Sequence, residues 1–216
     1  MTGPFPPPPR SIEDAVRVRY EALSRTSASL SCGAALDLAA PAPGETVVDL
    51  GCGRGRDVVR AASMVGAAGS VIGVDGNEAM VAAASQAAAG VPNARLVHGD
   101  LARVDLPDAI ADVVISNCAI NHARNKRAVY AEIHRLLRPG GRFVVSDVVA
   151  ERELPPAVRD DPQAWAACYG GAVPESDYLS AIEAAGFPPV EILSRSEPYE
   201  RGGVAIRSVT LRGRRT

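Results

Sequence analysis

Nine residues, Asp49-Leu50-Gly51-Cys52-Gly53-Arg54-Gly55-Arg56-Asp57, stand between the apolar run Thr46-Val47-Val48 and a helical stretch, Val58 to Met64. Glycines at alternate positions let a backbone turn sharply and approach a ligand closely. A second apolar strand, Ser70 to Val74, then ends in Asp75. An acid at the tip of the strand after such a loop is placed to accept hydrogen bonds from ribose hydroxyls. Strand, glycine turn, helix, strand and acid, in that order, outline a nucleoside-cofactor site on a parallel sheet.

The rest of the chain continues the alternation. Ser11 to Leu23 reads as a helix that Ser11 can cap, with Glu13 and Asp14 in its first turn. Strands are expected at 46–50, 70–75, 94–98, Ala111 to Ser116 and Arg142 to Ser146, with helices at 54–64, Asn77 to Ala89 and Lys126 to Leu137. The last helix runs into Arg138-Pro139-Gly140-Gly141, a strong breaker. Strands separated by helices predict an α/β fold, a sheet wound on both faces. After Asp147 the pattern changes to a short helical cap at about 151–175, a helix at Ser176 to Ala185 and two final strands, Glu191 to Ser196 and Ala205 to Leu211, of antiparallel character. Residues 1–10 are proline-rich and read as extended and disordered, Ser24 to Ser31 reads as a polar loop, and 11–216 reads as a single domain.

Composition excludes several classes. A net charge of -2 gives no electrostatic case for nucleic acid or an anionic membrane. No apolar run approaches the roughly 20 residues that span a bilayer. The N-terminus, Met1 to Arg10, lacks the apolar core of a secretory signal. The expectation is a cytoplasmic protein without membrane or nucleic-acid partners, whose four cysteines are thiols rather than a disulfide framework and which holds no metal. The oligomeric state is not legible.

Glycines after a first strand also occur in dehydrogenases, so the loop alone is ambiguous. The pattern here is Asp-x-Gly-x-Gly-x-Gly, with Asp49 inside the loop. That carboxylate would repel a pyrophosphate and attract a cationic amino group. Gly99-Asp100-Leu101 follows the third strand, where an acid can accept from an exocyclic adenine amine. A cationic amino acid, a ribose and an adenine in sequence describe S-adenosyl-L-methionine. The plainer account is that Asp49 and Asp100 cap helices and Asp75 closes a turn; three acids in this order speak against it.

Residues 45–150 resemble the seven-strand, Rossmann-like S-adenosylmethionine methyltransferases. The resemblance implies that Asp49, Gly51, Gly53 and Gly55 surround the methionine moiety and Asp75 holds the ribose. It places Gly76, Asn77 and Met80 on the nearby wall, Asp100 and Leu101 at the adenine and Asn117 at the end of strand four, with Tyr20 covering the cofactor from the N-terminal helix. Four segments are similar to one branch of that superfamily, the arsenite methyltransferases: Gly51 to Asp57, Ile115 to Asn121, Ser146 to Pro156 and Asp161 to Ala172. In that family the cysteine of the last segment is an arsenic ligand; it falls on Cys168, and a second, in a Cys-Gly step before strand one, falls on Cys32. Trivalent arsenic is soft and selects thiolates. A coordinated thiol is already deprotonated, so no general base is expected. The acceptor is then a small molecule, with a thiol conjugate as one form.

The chain also departs from the family. The place of a further arsenic-ligating cysteine near the C-terminal strands is Val204, and the paired cysteine upstream of Cys32 is missing. Two alternatives therefore stay open. One is methyl transfer, or a methyl-derived cyclisation, at carbon, nitrogen or oxygen of a small organic metabolite, with His122 as the base. The other is a sensor that binds the cofactor without turnover. Cys52 and Cys118 read as small buried hydrophobes, while Trp165 and Tyr169 form either an aromatic wall for the acceptor or the core of the cap.

Overall fold

The computed structural model describes residues 11–26 and 33–216; the expectations for residues 1–10 and for Cys32, and most of the loop before it, lie outside them. The described chain forms a sheet of eight strands: β1 (Thr46–Leu50), β2 (Ser70–Asp75), β3 (Ala94–His98), β4 (Ala111–Asn117), β5 (Leu137–Ala150), β6 (Glu191–Arg195), β7 (Tyr199–Arg201) and β8 (Val204–Arg214). Their order is β3-β2-β1-β4-β5-β8-β6, with β7 pairing β8 off that path. The first five run parallel and β8 is antiparallel to β5. This is the Rossmann-like sheet that the sequence predicts, with one short strand more than expected.

The helices are α1 (Ile12–Ser24), α2 (Ala35–Ala39), α3 (Arg56–Val65), α4 (Glu78–Ala87), α5 (Lys126–Leu136), α6 (Pro156–Arg159), α7 (Pro162–Ala166) and α8 (Glu175–Glu183). Side chains alternate across each strand, so neighbouring residues feed two different cores. Val48, Leu50, Val114 and Phe143 pack with Tyr130 and Ile133 of α5 and Tyr178 of α8. Val47, Val113, Ile115 and Val144 pack with Leu36 of α2, Val58 of α3 and Ala84 of α4 on the other face. Strands buried on both faces explain the continuous apolar runs of β1, β2 and β4. A third cluster, Val148, Ala150, Leu154, Ala172, Val204 and Ile206, lies under the cap of α6 and α7.

Most element boundaries agree with the sequence reading, down to the Ser11 side chain accepting from Asp14 N at 3.1 Å. Strand five is the main correction, because it runs from Leu137 to Ala150 rather than Arg142 to Ser146. Pairing with β8 from Arg142↔Arg214 to Ala150↔Ile206 extends it past the apolar run. The breaker survives as an irregularity: the register jumps between the Ala111↔Leu137 and Val113↔Arg142 pairs. Helix α2 and strand β7 were not expected; each is too short to show a period.

Candidate active site

A cavity of about 740 Å³ opens at the C-terminal ends of β1 to β4, roofed by α1. Parallel strands end here together and their loops diverge, which is where open α/β sheets bind ligands. Its walls carry Asp49, Gly51 and Gly53 from the first loop and Asp75, Gly76 and Asn77 from the second. Asp100 and Leu101 line the third side, Asn117 the end of β4, and Tyr20 the roof.

The first loop is held by its own backbone. Gly51 N and Cys52 N both donate to Val74 O, at 2.8 and 2.9 Å. Gly51 has φ of +79°, and a Cβ there would stand 2.1 Å from the Cβ of Ala119, so only glycine fits. The Asp75 carboxylate ties two loops together, accepting from Gly53 N at 2.9 Å and from Asn77 N at 2.9 Å. Burial raises its pKa, and these two hydrogen bonds hold the rise in check.

Asp49 is buried, and its pKa is pushed well above the carboxylate range, first by burial and then by the charges of Asp57 and Asp75. Asp57 also lines the cavity and accepts from Asn117 Nδ2 at 3.0 Å. Asp57 is paired with Arg60 Nη1 at 3.2 Å, and a cationic group placed beside Asp49 would favour its ionised form.

Two of the expected residues stand elsewhere. Met80 is fully buried on α4 and does not reach the cavity wall. Gly55 is the N-cap of α3, with φ of +78°, and does not line the cavity. A Cβ on Gly55 would come within 3.0 Å of Ala84 Cβ, so the glycine serves the packing of α3 on α4.

At the far end β4 stops at Asn117. Cys118 follows in the left-handed region, φ +55°, with its N–H donating to Ser146 O at 2.8 Å. A single 3₁₀ turn, Ile120–His122, then sets His122 beneath α1. The Tyr20 hydroxyl lies 2.9 Å from His122 Nε2 and 3.2 Å from Cys168 Sγ. Cys168 Sγ is in turn 3.4 Å from His122 Nε2. Burial, then Lys126 and Arg19, lower the pKa of His122 to about 4, so the ring is neutral at ordinary pH.

Cys168 does not line the cavity; it touches two residues that do, Tyr20 and His122. It sits just past α7 with φ of +70°, uncommon for a residue other than glycine. The cap is pressed onto the loop after β4, since a Cβ on Gly171 would meet Asn121 O at 1.9 Å. Trp165 and Tyr169 belong to the cap rather than to the cavity. Trp165 is 6% exposed and donates from Nε1 to Arg159 O at 2.6 Å, and Tyr169 packs on the third apolar cluster.

Roof and floor are tethered by Asn77 Nδ2 donating to Arg17 O at 3.1 Å and by Arg124 Nε to Glu13 at 3.0 Å. The second is an exposed pair worth at most about 1 kcal/mol. Asp57, Cys118, Val16 and Arg17 line the site without having been singled out for it. Asp57 closes the nine-residue run, and Val16 is four residues before Tyr20 on one helix face, so both signals were present.

A methyltransferase-domain family model matches residues 41–186. The chain is 40% identical over 173 residues to the arsenite methyltransferase of Halobacterium salinarum, covering 79% of this chain and 44% of that protein. It is 34% identical over 182 residues to the nocamycin O-methyltransferase of Saccharothrix syringae, covering 82% and 62%. Among solved structures, the arsenic(III) S-adenosylmethionine methyltransferase of Chlamydomonas reinhardtii superposes with a TM-score of 0.74 at 31% identity, covering 96% of this chain and 74% of that one. The chain spans about half the length of the first curated relatives it matches.

The fold, the acid-lined cavity and these matches define a class: the chain belongs to the S-adenosylmethionine-dependent methyltransferases. Within that class it resembles the arsenite methyltransferases.

The residues present suit S-adenosyl-L-methionine. A cationic ligand group beside Asp49 would favour its ionised form, and the Gly51 turn leaves room that a Cβ would fill. Among the described residues no helix is long and apolar enough to cross a membrane, and no group of three potential ligands could hold a metal ion.

Proposed function

We propose that this chain transfers methyl groups from S-adenosyl-L-methionine to a trivalent arsenical, arsenite or methylarsenite, held by cysteine thiolates. The observation that carries this reading is the place of Cys168, whose sulfur is in contact with Tyr20 and His122, two residues that line the cavity. The likeness to arsenite methyltransferases supports it.

In this reading Asp49 faces the ammonium of the methionine moiety, Asp75 the ribose, and Asp100 with Leu101 the adenine. Gly51 and Gly53 let the backbone close around the methionine, Gly76, Asn77 and Asn117 complete the walls, and Tyr20 covers the whole. The cofactor supplies a methyl group on a sulfonium. The protein's part is positioning: thiolates leave arsenic a lone pair, and holding that lone pair in line is an effect that can supply roughly 7–11 kcal/mol. Cys32 is the second thiolate. Val204 is buried in the third apolar cluster, so its position supplies no ligand. Two protein thiolates then hold methylarsenite, or arsenite with an external thiol such as glutathione.

A second reading is favoured by the same Val204, by His122 in the cavity and by the likeness to an O-methyltransferase. The acceptor is then an organic hydroxyl, amine or carbon acid, and His122 takes its proton. Turnover separates the readings. Protein incubated with labelled cofactor, glutathione and arsenite or methylarsenite should yield labelled methylarsenicals, and Cys168→Ser should abolish them while binding the cofactor normally. Retained product in that variant would exclude the thiolate site.

A further inference from the structure

A thiol that bonds to a soft acceptor atom must lose its proton, and the proton must go somewhere. Around Cys168 the side chains are placed to carry it. Sγ, the Tyr20 hydroxyl and His122 Nε2 form a closed triangle with sides of 3.2, 2.9 and 3.4 Å. The three come from different elements, α1, the turn after β4 and the end of α7, so nothing in the local chain forces them together. His122 Nδ1 is buried without a hydrogen bond of normal geometry, although the Trp165 backbone lies near enough to favour a proton on the ring. The tautomer that suits these contacts keeps its proton on Nδ1 and turns the Nε2 lone pair toward Tyr20 and Cys168.

We propose that Tyr20 and His122 form a proton relay that serves Cys168 during ligand exchange at the acceptor, a role that rests on the arsenical reading above. The Cys168 S–H bond breaks and its electron pair forms a bond to the acceptor's trivalent centre. The bond from that centre to a hydroxide or thiolate ligand breaks with its own electron pair. The thiol proton passes by way of the Tyr20 hydroxyl and His122 Nε2 to that departing ligand, which leaves as water or as a free thiol. No oxidation state changes.

The environment makes the triad a conduit rather than a store. Burial keeps His122 neutral, with Lys126 of α5 and Arg19 of α1 opposing a second positive charge. Burial likewise keeps Tyr20 a hydroxyl, and the thiols of Cys168 and Cys118 beside it act in the same sense. Lys126 favours the charged form of Asp147 of β5 and donates from Nζ to Gly171 O at 2.6 Å. The phenol can accept one proton as it donates another, and His122, already protonated on Nδ1, takes the proton on Nε2 as a transient imidazolium whose low pKa releases it again from the same nitrogen.

The test measures Cys168 itself, so that it does not depend on methyl transfer. Alkylation by iodoacetamide is followed across pH, with Cys168 identified by peptide mass, in the wild type, His122→Gln and Tyr20→Phe. In parallel, methylarsenite is mixed with each protein and the fluorescence of Trp165, the single tryptophan, is recorded. The expected result for His122→Gln is alkylation slowed about tenfold at neutral pH with its pH profile displaced upward, and arsenical capture slowed by a similar factor. Tyr20→Phe, which keeps the buried ring, should shift both measurements in the same sense but less. A cooperative thermal unfolding transition shows whether each variant is folded. If wild-type alkylation depends on His122 but methylarsenite changes no fluorescence, the relay is upheld and the arsenical reading fails. If folded variants alkylate at the wild-type rate with an unchanged profile, the relay is overturned.

Discussion

The Tyr20 hydroxyl and His122 Nε2, 102 positions apart in the chain and 2.9 Å apart in space, join the helix that roofs the cofactor cavity to the turn that floors it. Their rings meet edge to face, with centroids 5.2 Å apart and an interplanar angle of 85°. A hydrogen bond of this kind contributes about 0.5–1.5 kcal/mol. Tyr20→Phe keeps the ring and removes the bond, so the roof should open more readily. We expect cofactor affinity to fall by about two- to tenfold, measured by calorimetry with S-adenosylhomocysteine. Unchanged affinity would show that the roof is held by its other tethers alone.

The three carboxylates of the cavity bear on how binding depends on pH. In the free protein Asp49 has a raised pKa because it is buried beside Asp57 and Asp75. A cationic ligand favours the ionised form, so binding must expel a proton wherever Asp49 is protonated beforehand. Calorimetry of S-adenosylmethionine in buffers of differing ionisation enthalpy should report net proton release, and affinity should rise with pH. Asp49→Asn should abolish the release and weaken S-adenosylmethionine and S-adenosylhomocysteine alike, since both carry the ammonium. Proton uptake, or no exchange, would contradict this charge arrangement.

Gly51→Ala tests the cradle. The added methyl would stand 2.1 Å from Ala119 Cβ at a φ of +79°. Backbone strain alone costs about 1–3 kcal/mol, and displacement of Ala119 adds to it. The variant should melt well below the wild type and lose cofactor binding. Near-normal melting and binding would mean that the loop relaxes freely, and the close approach would lose its significance.

Asp147 offers a pH test of stability away from the cavity. It is buried and accepts from Tyr178 Oη at 3.1 Å, and although the Lys126 charge favours its ionised form, burial dominates and raises its pKa from 3.8 to about 6. A raised folded-state pKa means that the folded protein binds the extra proton. Stability from this group is therefore fully present below 3.8 and is lost as pH rises through about 6. Asparagine at this position cannot titrate. The stability of the wild type minus that of Asp147→Asn, from urea unfolding, should fall between pH 4 and 7. A flat or rising difference would show that the Lys126 charge outweighs burial.

Much of this molecule was legible before any coordinates. The alternation of apolar strands and amphipathic helices is written in adjacent residues, and β2 and β3 stand where the pattern put them. Asp75 at the tip of β2 follows from that pattern alone. Where the reading failed, a long-range partner decided. Strand five runs on past its apolar run because β8 pairs with it as far as Ala150. Met80 faces the core because the rotation of α4 is set by its packing, which no local signal announces.

The succession of strands and helices along the chain, the glycine turn and the acids at the strand ends are properties of short stretches, and the chain states them in its own local chemistry. That His122 and Cys168, 46 residues apart, come within 3.4 Å is a different kind of fact. It exists only because the cap packs onto the loop after β4, where Gly171 leaves no room for a side chain against Asn121. Shape complementarity between distant segments brings a thiol, a phenol and an imidazole into one part-buried triangle, and periodicity carries no record of it.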